Sequence, residues 1–365
     1  MLSAGVLAQA PGQRQSLHMP LADKSLLLDV TCTGQRLIAV GERGHILLSD
    51  DQGESWRQVV TPTRQMLTAV SFPTPARGWA VGHDGLILAS IDAGESWSVQ
   101  RDGLLAQRAI NKRRLVALQK KQVLLREQLT AASVAAERED LRSAREDAAL
   151  DIEDLELSLA GPAYAPPLLD IAFVDELHGI AVGAFNSLVI TRDGGANWSD
   201  TGERLDNPLE LHLNSIVGDG AGKWWLAGEG GLLFRSVDGA VSWQALPSPS
   251  QASWFGIARE SRQQSLLVFG LRGNIYRSLD DGSSWQAAVS SSERSLNGGT
   301  FLSDRYALLV GAVGSMLLSE DGGASFTEHP LAQRVNLSAV SASCGPILVV
   351  GQGGTYRHVS LDQIR

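Results

Sequence analysis

A short turn of the form Gly-x-x-Gly, followed by an apolar run, recurs along this chain at nearly constant spacing. The turns begin at Gly41, Gly82, Gly183, Gly228, Gly270, Gly311 and Gly351, with Asn186 replacing the second glycine of the third turn. Five of the six intervals are 40 to 45 residues, which is the length of one four-stranded propeller blade. The remaining interval is 101 residues and therefore contains an insertion of about 60 residues.

A second motif, Ser/Thr-x-Asp-x-Gly-x-x-Trp/Phe, follows six of the seven turns and is known as an Asp box. Its aspartates are Asp51, Asp92, Asp193, Asp238, Asp280 and Asp321, and its aromatic residues are Trp56, Trp97, Trp198, Trp243, Trp285 and Phe326. A short Asp side chain accepts backbone N–H bonds inside a tight turn, Gly permits positive φ, and the aromatic ring packs over the hairpin. We therefore predict a structural role for the boxes.

These repeats predict an all-β fold, a seven-bladed β-propeller, with residues 15–103 and 166–365 in the propeller. In the second repeat, strands are expected at residues 67–72, 78–81, 86–90 and 97–100, where apolar and polar residues alternate. The last repeat has no box and supplies only three strands. We predict that residues 15–21 provide its outer strand, so that strands from both termini close the ring.

The insertion, residues 104–165, contains no Gly before Gly161 and no Pro before Pro162, which favours helix. Apolar residues recur at helical spacing in two segments: Leu115, Leu118, Leu125, Leu129 and Ala132, then Leu141, Ala144, Ala148, Ile152, Leu155 and Leu159. This pattern predicts an antiparallel α-helical hairpin, a coiled coil between blades 2 and 3. The first helix is mostly basic and the second mostly acidic, so we expect mutual attraction. Homodimerisation through the hairpin is only a secondary alternative, because attraction between the two helices of one hairpin would already satisfy the contact surface between them.

Composition limits the classes of function. The chain has a formal net charge of −9, which argues against general nucleic-acid binding. It has no run of about 18 apolar residues, the length of a membrane span.

Residues 1–14 resemble the end of a secretory signal, with small residues at Ala8 and Ala10, and a frayed terminus is the alternative. Seven scattered histidines and two cysteines lack metal-ligand spacing, so we predict neither a metal nor a cofactor.

The two cysteines, Cys32 and Cys344, follow the first strands of blades one and seven, which are neighbours where the ring closes. A disulfide there would lock the ring in a secreted protein. The first strands of adjacent blades often lie too far apart for a bond. We therefore favour two ordinary buried thiols and keep the disulfide as the alternative.

The second repeat carries a family resemblance. Residues 60–72, the run Gly78-Trp79-Ala80-Val81-Gly82 and residues 92–97 resemble the photosystem II stability and assembly factor family, and the likeness spans all seven repeats but excludes the helical insertion. It implies a propeller of the lumen or periplasm that assists membrane-protein assembly through an arginine-rich surface. In relatives from bacteria without photosynthesis, it implies a transporter of the resistance-nodulation-division type as the client.

Propeller topology predicts a partner-binding face, because the Gly-x-x-Gly turns, the connections between blades and the helical insertion belong to one side. Its arginines are Arg43, Arg64, Arg204, Arg272, Arg294 and Arg334, and its apolar residues are Phe185, Leu271 and Val313. Such a ring of arginines could hold carboxylates or phosphates through paired hydrogen bonds. The alternative is that each arginine pairs with an acid nearby, namely Glu42, Asp84, Glu203 or Glu293.

An enzyme is the second class of function to weigh, because sialidases and some glucanases carry the same boxes. A glycosidase needs two carboxylates about 5 to 10 Å apart, and Glu42, Asp84 and Glu229 stand in equivalent turns. The chain lacks the Arg-Ile-Pro motif of sialidases, and none of its four tyrosines has a recognisable catalytic setting. We therefore predict no catalytic residues and a periplasmic scaffold, with a carbohydrate-active propeller, either hydrolase-like or a lectin, as the alternative.

Overall fold

The computed structural model describes residues 15–260, 262, 265–342, 344–358, 361 and 364. The export signal predicted within residues 1–14 lies outside the described residues. The chain divides into two compact units. Residues Asp102–Ala165 form one unit, and the described residues before and after them form the other.

The larger unit contains seven antiparallel sheets within the described residues, and consecutive strands pair in each. The first two sheets comprise β1 (Leu27–Thr33), β2 (Arg36–Gly41), β3 (Ile46–Ser49) and β4 (Arg57–Val59), then β5 (Leu67–Ser71), β6 (Gly78–Gly82), β7 (Ile87–Ser90) and β8 (Ser98–Arg101). The third and fourth comprise β9 (Leu168–Phe173), β10 (Gly179–Gly183), β11 (Leu188–Thr191) and β12 (Ser199–Asp200), then β13 (Leu213–Gly218), β14 (Trp224–Gly228), β15 (Leu233–Ser236) and β16 (Gln244–Ala245).

The remaining three sheets follow the same pattern. The fifth and sixth comprise β17 (Trp254–Arg259), β18 (Leu266–Gly270), β19 (Ile275–Ser278) and β20 (Gln286–Ala287), then β21 (Leu296–Phe301), β22 (Ala307–Gly311), β23 (Met316–Ser319) and β24 (Thr327–Glu328). The seventh has three strands in the described part of the chain: β25 (Leu337–Ser341), β26 (Ile347–Gly351) and β27 (Gly354–His358).

The first strands of neighbouring sheets contact one another in a closed cycle. Contacts join β1 to β5, β5 to β9, β9 to β13, β13 to β17, β17 to β21, β21 to β25, and β25 back to β1. The second strand of each sheet is almost wholly buried, because it packs between two neighbouring sheets and is apolar along its length. The predicted propeller fold is confirmed.

The segment predicted to close the ring as a strand is not one. Residues 15–19 run beside the first sheet, where the Ser16 N–H donates to the Thr61 carbonyl at 2.9 Å and the Gln58 amide donates to the Leu17 carbonyl at 2.8 Å. Pro20 has no N–H to donate, so a ladder could not continue through it. The prediction that residues 15–21 complete the last sheet was wrong.

Side-chain packing and a disulfide close the ring. Met19 and Ala22 lie in one apolar cluster with Leu348 and Val350 of the last sheet. Cys32 and Cys344 form a disulfide, with Cα atoms 5.7 Å apart, a normal separation for such a bond. The favoured interpretation of two free thiols was wrong, because β1 and β25 approach each other closely enough to be bridged.

The smaller unit is the predicted helical hairpin, formed by α1 (Gly103–Ala131) and α2 (Ala135–Ala160). The Asp102 side chain caps α1 by accepting the Leu105 N–H at 3.1 Å, which starts the helix one residue earlier than expected. The Asn111 amide donates to the Ser158 hydroxyl at 3.2 Å, so the start of α1 lies beside the end of α2. Among the described residues, no helix is long and apolar enough to cross a membrane.

Candidate functional site

The six Asp boxes share one hydrogen-bond pattern. In each box, one carboxylate oxygen accepts the Ser or Thr hydroxyl two residues earlier at 2.8 to 2.9 Å. The same oxygen accepts the N–H four residues later at 2.8 to 3.0 Å. Hydrogen bonds from Ser55 hold the pKa of Asp51 at about 2. The box carboxylates therefore stabilise their own turns and offer no proton for acid catalysis.

The aromatic residues of the boxes pack against the sheets. Trp97 and Phe326 are buried, whereas Trp56, Trp198 and Trp243 are partly buried, as is Trp285. Ala240, which replaces glycine in the fourth box, has φ 62°, so this box keeps its shape despite the added Cβ.

Beside the boxes, arginines link neighbouring sheets, and sequence reasoning missed them. Each donates from one sheet to a box-turn carbonyl of the next, at 2.8 to 3.1 Å. The pairs are Arg36 with Ala93, Arg77 with Gly194, Arg192 with Gly239, Arg235 with Asp281, and Arg357 with Gln52. The sequence signal is an arginine at or just before the start of the second strand, inside the box, or at the end of the third strand.

The opposite ends of the sheets form the surface that we call the glycine-turn face. It comprises the seven turns between second and third strands, together with the connections between sheets that pack on them. The turns are residues 41–44, 82–85, 183–186, 228–231, 270–273, 311–314 and 351–354. At Gly44, with φ 72°, an added Cβ would collide with the carbonyl oxygen of Thr63 in such a connection. Leu331 likewise donates to the Gly314 carbonyl at 2.7 Å.

The third position of these turns has a left-handed backbone conformation in residues other than glycine. Arg43, Asp84, Phe185, Arg272 and Val313 have φ between 51° and 59°. For a β-branched residue such as Val313 this conformation is a true outlier, and it costs on the order of 1 kcal/mol relative to glycine. The fourth turn has Gly230 at this position, with φ 62°. The repeat can therefore accept glycine here, which adopts this backbone conformation without strain.

The six predicted arginines of this face differ in their contacts. Arg294 forms an ion pair with Glu328 at 2.6 Å, instead of with the neighbouring Glu293. The Arg64 Nε donates to the Gln15 carbonyl at 2.8 Å, and an Arg204 nitrogen lies 3.5 Å from the Val241 carbonyl. The side chains of the other three, Arg43, Arg272 and Arg334, make no hydrogen bond or ion pair within the described chain. All three are exposed.

The predicted apolar residues of the face are also exposed. Phe185 has 52% of its surface accessible, Val313 42% and Leu271 37%. The Phe185 ring is supported edge-on by the His212 ring, at 5.0 Å between centroids. Unpaired cations and exposed apolar groups therefore share one surface. This surface can bind a partner that carries both carboxylates and apolar side chains.

The first strands line a polar central channel with a cavity of about 230 Å³. Asp29 and Asp170 lie in its wall, and backbone N–H groups of the next sheet, from Val70 and Ile216, donate to them at 2.8 and 2.9 Å. Burial raises the pKa of Asp29 to about 7, and the nearby Asp170 carboxyl adds to the rise. Burial also raises the pKa of Asp170. Both were missed, although an aspartate inside an apolar strand was the available signal.

We expect Asp29→Asn to remove a pH dependence of stability. The folded pKa of Asp29 lies above the unfolded value of 3.8, so its stabilising effect is complete below pH 3.8 and is lost as pH rises toward 7. The shift corresponds to about 4 kcal/mol at most, and contact with the open channel reduces the expected loss to about 2 kcal/mol. Urea unfolding at intervals from pH 4 to 8 measures the difference between the two proteins.

The matched control is Asp206→Asn, which removes an exposed carboxyl and should follow the wild-type profile. Parallel curves for wild type and Asp29→Asn over the whole pH range would contradict the assignment.

The three turn acids that the sequence offered as a glycosidase pair each make a contact of their own turn. Glu42, Asp84 and Glu229 each accept a local hydrogen bond, from the Leu26 N–H at 3.4 Å, the Gln65 amide and the His212 N–H at 3.2 Å. Among the residues that the structure describes, no three His, Cys, Asp or Glu side chains group as metal ligands. The acids of the turns therefore serve the turns.

Comparison with known proteins gives related sequences for part of the chain. The family model for the photosynthesis system II assembly factor YCF48 matches residues 157–300. The photosystem II assembly lipoprotein Ycf48 of Synechococcus sp. (strain CC9902) is 40% identical over 78 residues, which is 21% of this chain and 23% of that protein. The chloroplastic photosystem II stability/assembly factor HCF136 of Oryza sativa subsp. japonica is 31% identical over 88 residues, 23% of this chain and 21% of that protein.

Solved structures of other proteins match this chain over nearly its whole length. The structure of YCF48 bound to D1 peptide has a TM-score of 0.63 at 16% identity, and the match covers 98% of this chain and 100% of that one. A GH74 xyloglucanase from Xanthomonas campestris has a TM-score of 0.63 at 11% identity, over 95% of this chain and 54% of that one. At these identities the likeness extends to the fold alone.

Proposed function

We propose that this chain, which belongs to the photosystem II assembly factor-like family, is a non-catalytic assembly scaffold that binds a membrane protein through its glycine-turn face. The observation that carries the proposal is the display on that face of unpaired Arg43, Arg272 and Arg334 beside exposed Phe185 and Val313. A relative of this family, YCF48, has been solved with a D1 peptide.

The strained turns support a binding role for the face. Glycine would relieve the left-handed conformation at Arg43, Phe185, Arg272 and Val313. The repeat nevertheless keeps large side chains there and leaves them in solvent. Local strain that folding does not require is typical of binding sites. We infer that these side chains contact the client.

The client that fits has carboxylates spaced among apolar residues. Arginine guanidinium groups bind carboxylates through two parallel hydrogen bonds, and an exposed aromatic ring supplies a large apolar contact. We propose an integral membrane protein or membrane-protein complex as the client, and a resistance-nodulation-division transporter as the specific candidate.

We also propose that the protein acts outside the cytoplasm, in the periplasm. The disulfide between Cys32 and Cys344 suits an oxidising compartment. The two relatives are named as a lipoprotein and as a chloroplastic protein, which agrees with export. The carbohydrate-active alternative gains no support from the turn acids, since each of them serves its own turn.

The test is charge reversal of the three unpaired arginines. We expect the variant with Arg43, Arg272 and Arg334 all replaced by Glu to lose co-purification with its membrane-protein client from mild detergent extracts. Because these side chains have no partner in the described chain, the free energy of unfolding should change by less than about 1 kcal/mol.

The matched control reverses three arginines beside the boxes, Arg57, Arg192 and Arg305, which changes the net charge equally. Each already has a partner: Glu95, the Gly239 carbonyl and the Glu320 carbonyl. This control should retain the client. If the first variant captures the same membrane protein as wild type, or if both variants lose it equally, the glycine-turn face is not the binding site.

A further inference from the structure

The two helices of the hairpin carry opposite charge, and no ion pair joins a side chain of one helix to a side chain of the other. We infer that this hairpin binds a second copy of itself, with the basic α1 of one protomer against the acidic α2 of its partner. The inference concerns self-association and is independent of the proposed client.

The charges on the two helices balance. α1 contains seven basic residues and one acidic residue, an excess of six positive charges. α2 contains nine acidic residues and three basic ones, an excess of six negative charges. The basic residues of α1 are Arg108, Lys112, Arg113, Arg114, Lys120, Lys121 and Arg126. The acidic residues of α2 are Glu137, Glu139, Asp140, Glu146, Asp147, Asp151, Glu153, Asp154 and Glu156.

These charges form no ion pairs across the hairpin, so the attraction predicted from the sequence acts without direct contacts between the charged groups. Every residue of α1 and α2 is described, and the ion pair found between their side chains is Arg142 with Glu139 at 3.5 Å, within α2 itself. The seam is instead apolar, with Leu125 and Ala148 buried at its centre. Because the seam takes up the facing sides, the charged side chains extend into solvent on the other sides of both helices.

Large apolar side chains are exposed on both helices, outside the seam. Val116 and Val123, seven residues apart on one face of α1, have 51% and 58% of their surface accessible. Leu150 and Leu157, also seven residues apart, have 62% and 65% accessible on α2. A seven-residue spacing returns to the same side of a helix. Each helix therefore has an apolar stripe beside its charges, as helices that pack on other helices do.

A second copy fits this pattern better than any partner of one charge sign. A single basic or acidic partner would be attracted by one helix and repelled by the other. A twofold axis, the commonest symmetry of protein dimers, places α1 of each protomer opposite α2 of the other. Both charge excesses are then neutralised and both stripes can be covered, in a bundle of four helices.

The test uses the full chain and two charge-swapped variants. The first replaces Lys112, Lys120, Lys121 and Arg126 with Glu, and the second replaces Glu146, Glu153, Asp154 and Glu156 with Lys; all eight side chains are exposed. Sedimentation equilibrium at 0.1 M and 1 M salt measures the dimer dissociation constant. Salt shortens the screening distance from about 10 Å to about 3 Å, so we expect the wild-type dimer to weaken at high salt.

Each variant alone should dimerise at least about tenfold more weakly than wild type, because four substituted positions on each protomer, eight in the dimer, become repulsive. An equimolar mixture of the two should form a heterodimer more tightly than either variant self-associates. The acidic α1 of the first variant then meets the basic α2 of the second, and the two unchanged helices meet as in wild type. Loss in the single variants with recovery in the mixture also excludes misfolding as the cause. A chain with both sets of substitutions provides a second check and should again self-associate.

Two results would overturn the inference: a wild-type protein that stays monomeric at every concentration and salt, or a mixture that stays monomeric although its components keep the helical signal in circular dichroism. Neither result bears on client binding, which is measured separately on the arginine variants of the glycine-turn face.

Discussion

Replacing both Cys32 and Cys344 with Ser is expected to lower the free energy of unfolding by about 4 kcal/mol. The bond joins residues 312 positions apart, so in the unfolded chain it closes a very long loop and removes much conformational freedom. It also lies where the first and last sheets meet, the junction that lacks a shared strand in the described chain. Urea unfolding followed by circular dichroism measures the effect.

Reduced wild-type protein is the control, because it loses the same covalent link without any substitution. It should unfold at the same urea concentration as the double serine variant, and dithiothreitol should not change the variant further. Equal stability of oxidised and reduced wild-type protein would show that packing alone closes the ring.

Replacing Trp97 with Ala is expected to cost about 4 kcal/mol. The indole is 8% exposed, its Nε1 donates to the Gly94 carbonyl at 2.9 Å, and the Phe72 ring packs edge-on at 5.8 Å between centroids. Removing the side chain leaves a cavity between the first two sheets and an unsatisfied box carbonyl. Equilibrium urea unfolding at pH 7 gives the change in free energy.

Trp243→Ala is the matched control, because Trp243 occupies the equivalent position of the fourth box. Its ring is only partly buried, and its Nε1 makes no hydrogen bond within the described residues. We expect a loss about half as large as at Trp97. Equal losses at the two positions would mean that burial does not determine the contribution of the box aromatics.

The repeated motifs made the propeller predictable, because each repeat contains its own turn, box and strand pattern. Local spacing was sufficient to identify the box around Asp92, since its side-chain hydrogen bonds join residues at most four apart. The turn at residues 82–85 is likewise closed locally, by the Gly82 N–H donating to the Leu86 carbonyl. The helical hairpin was predictable for the same reason, through periodic apolar residues such as Leu118 and Leu125.

Contacts between distant residues were not predictable in this way. The route of residues 15–19 along the first sheet depends on hydrogen bonds from Ser16 and Gln58, which no repeat encodes. The approach of Cys32 to Cys344 depends on how the sheets meet after a full turn of the ring. The arginines beside the boxes donate hydrogen bonds to the neighbouring sheet, so the sequence of a single repeat does not reveal their partners.

The candidate site was predictable in composition but not in pairing. The arginines and Phe185 were expected on one face because of propeller topology. The ion pair between Arg294 and Glu328 distinguishes that arginine from the unpaired Arg43 and Arg272. Such a distinction requires the distance between side chains that lie 34 residues apart.

The third position of the glycine turns has a consequence for how such proteins can diversify. Five of the seven turns carry a side chain at this position, and Gly230 and Gly353 occupy the other two. Because the backbone there is already left-handed, a substitution alters the surface while the sheets beneath keep their packing. Arg43, Asp84, Phe185, Arg272 and Val313 place four different residue types on one repeated backbone. If this face binds the client as proposed, single-residue exchanges at these positions would change its specificity, much as variable loops do on a constant antibody framework.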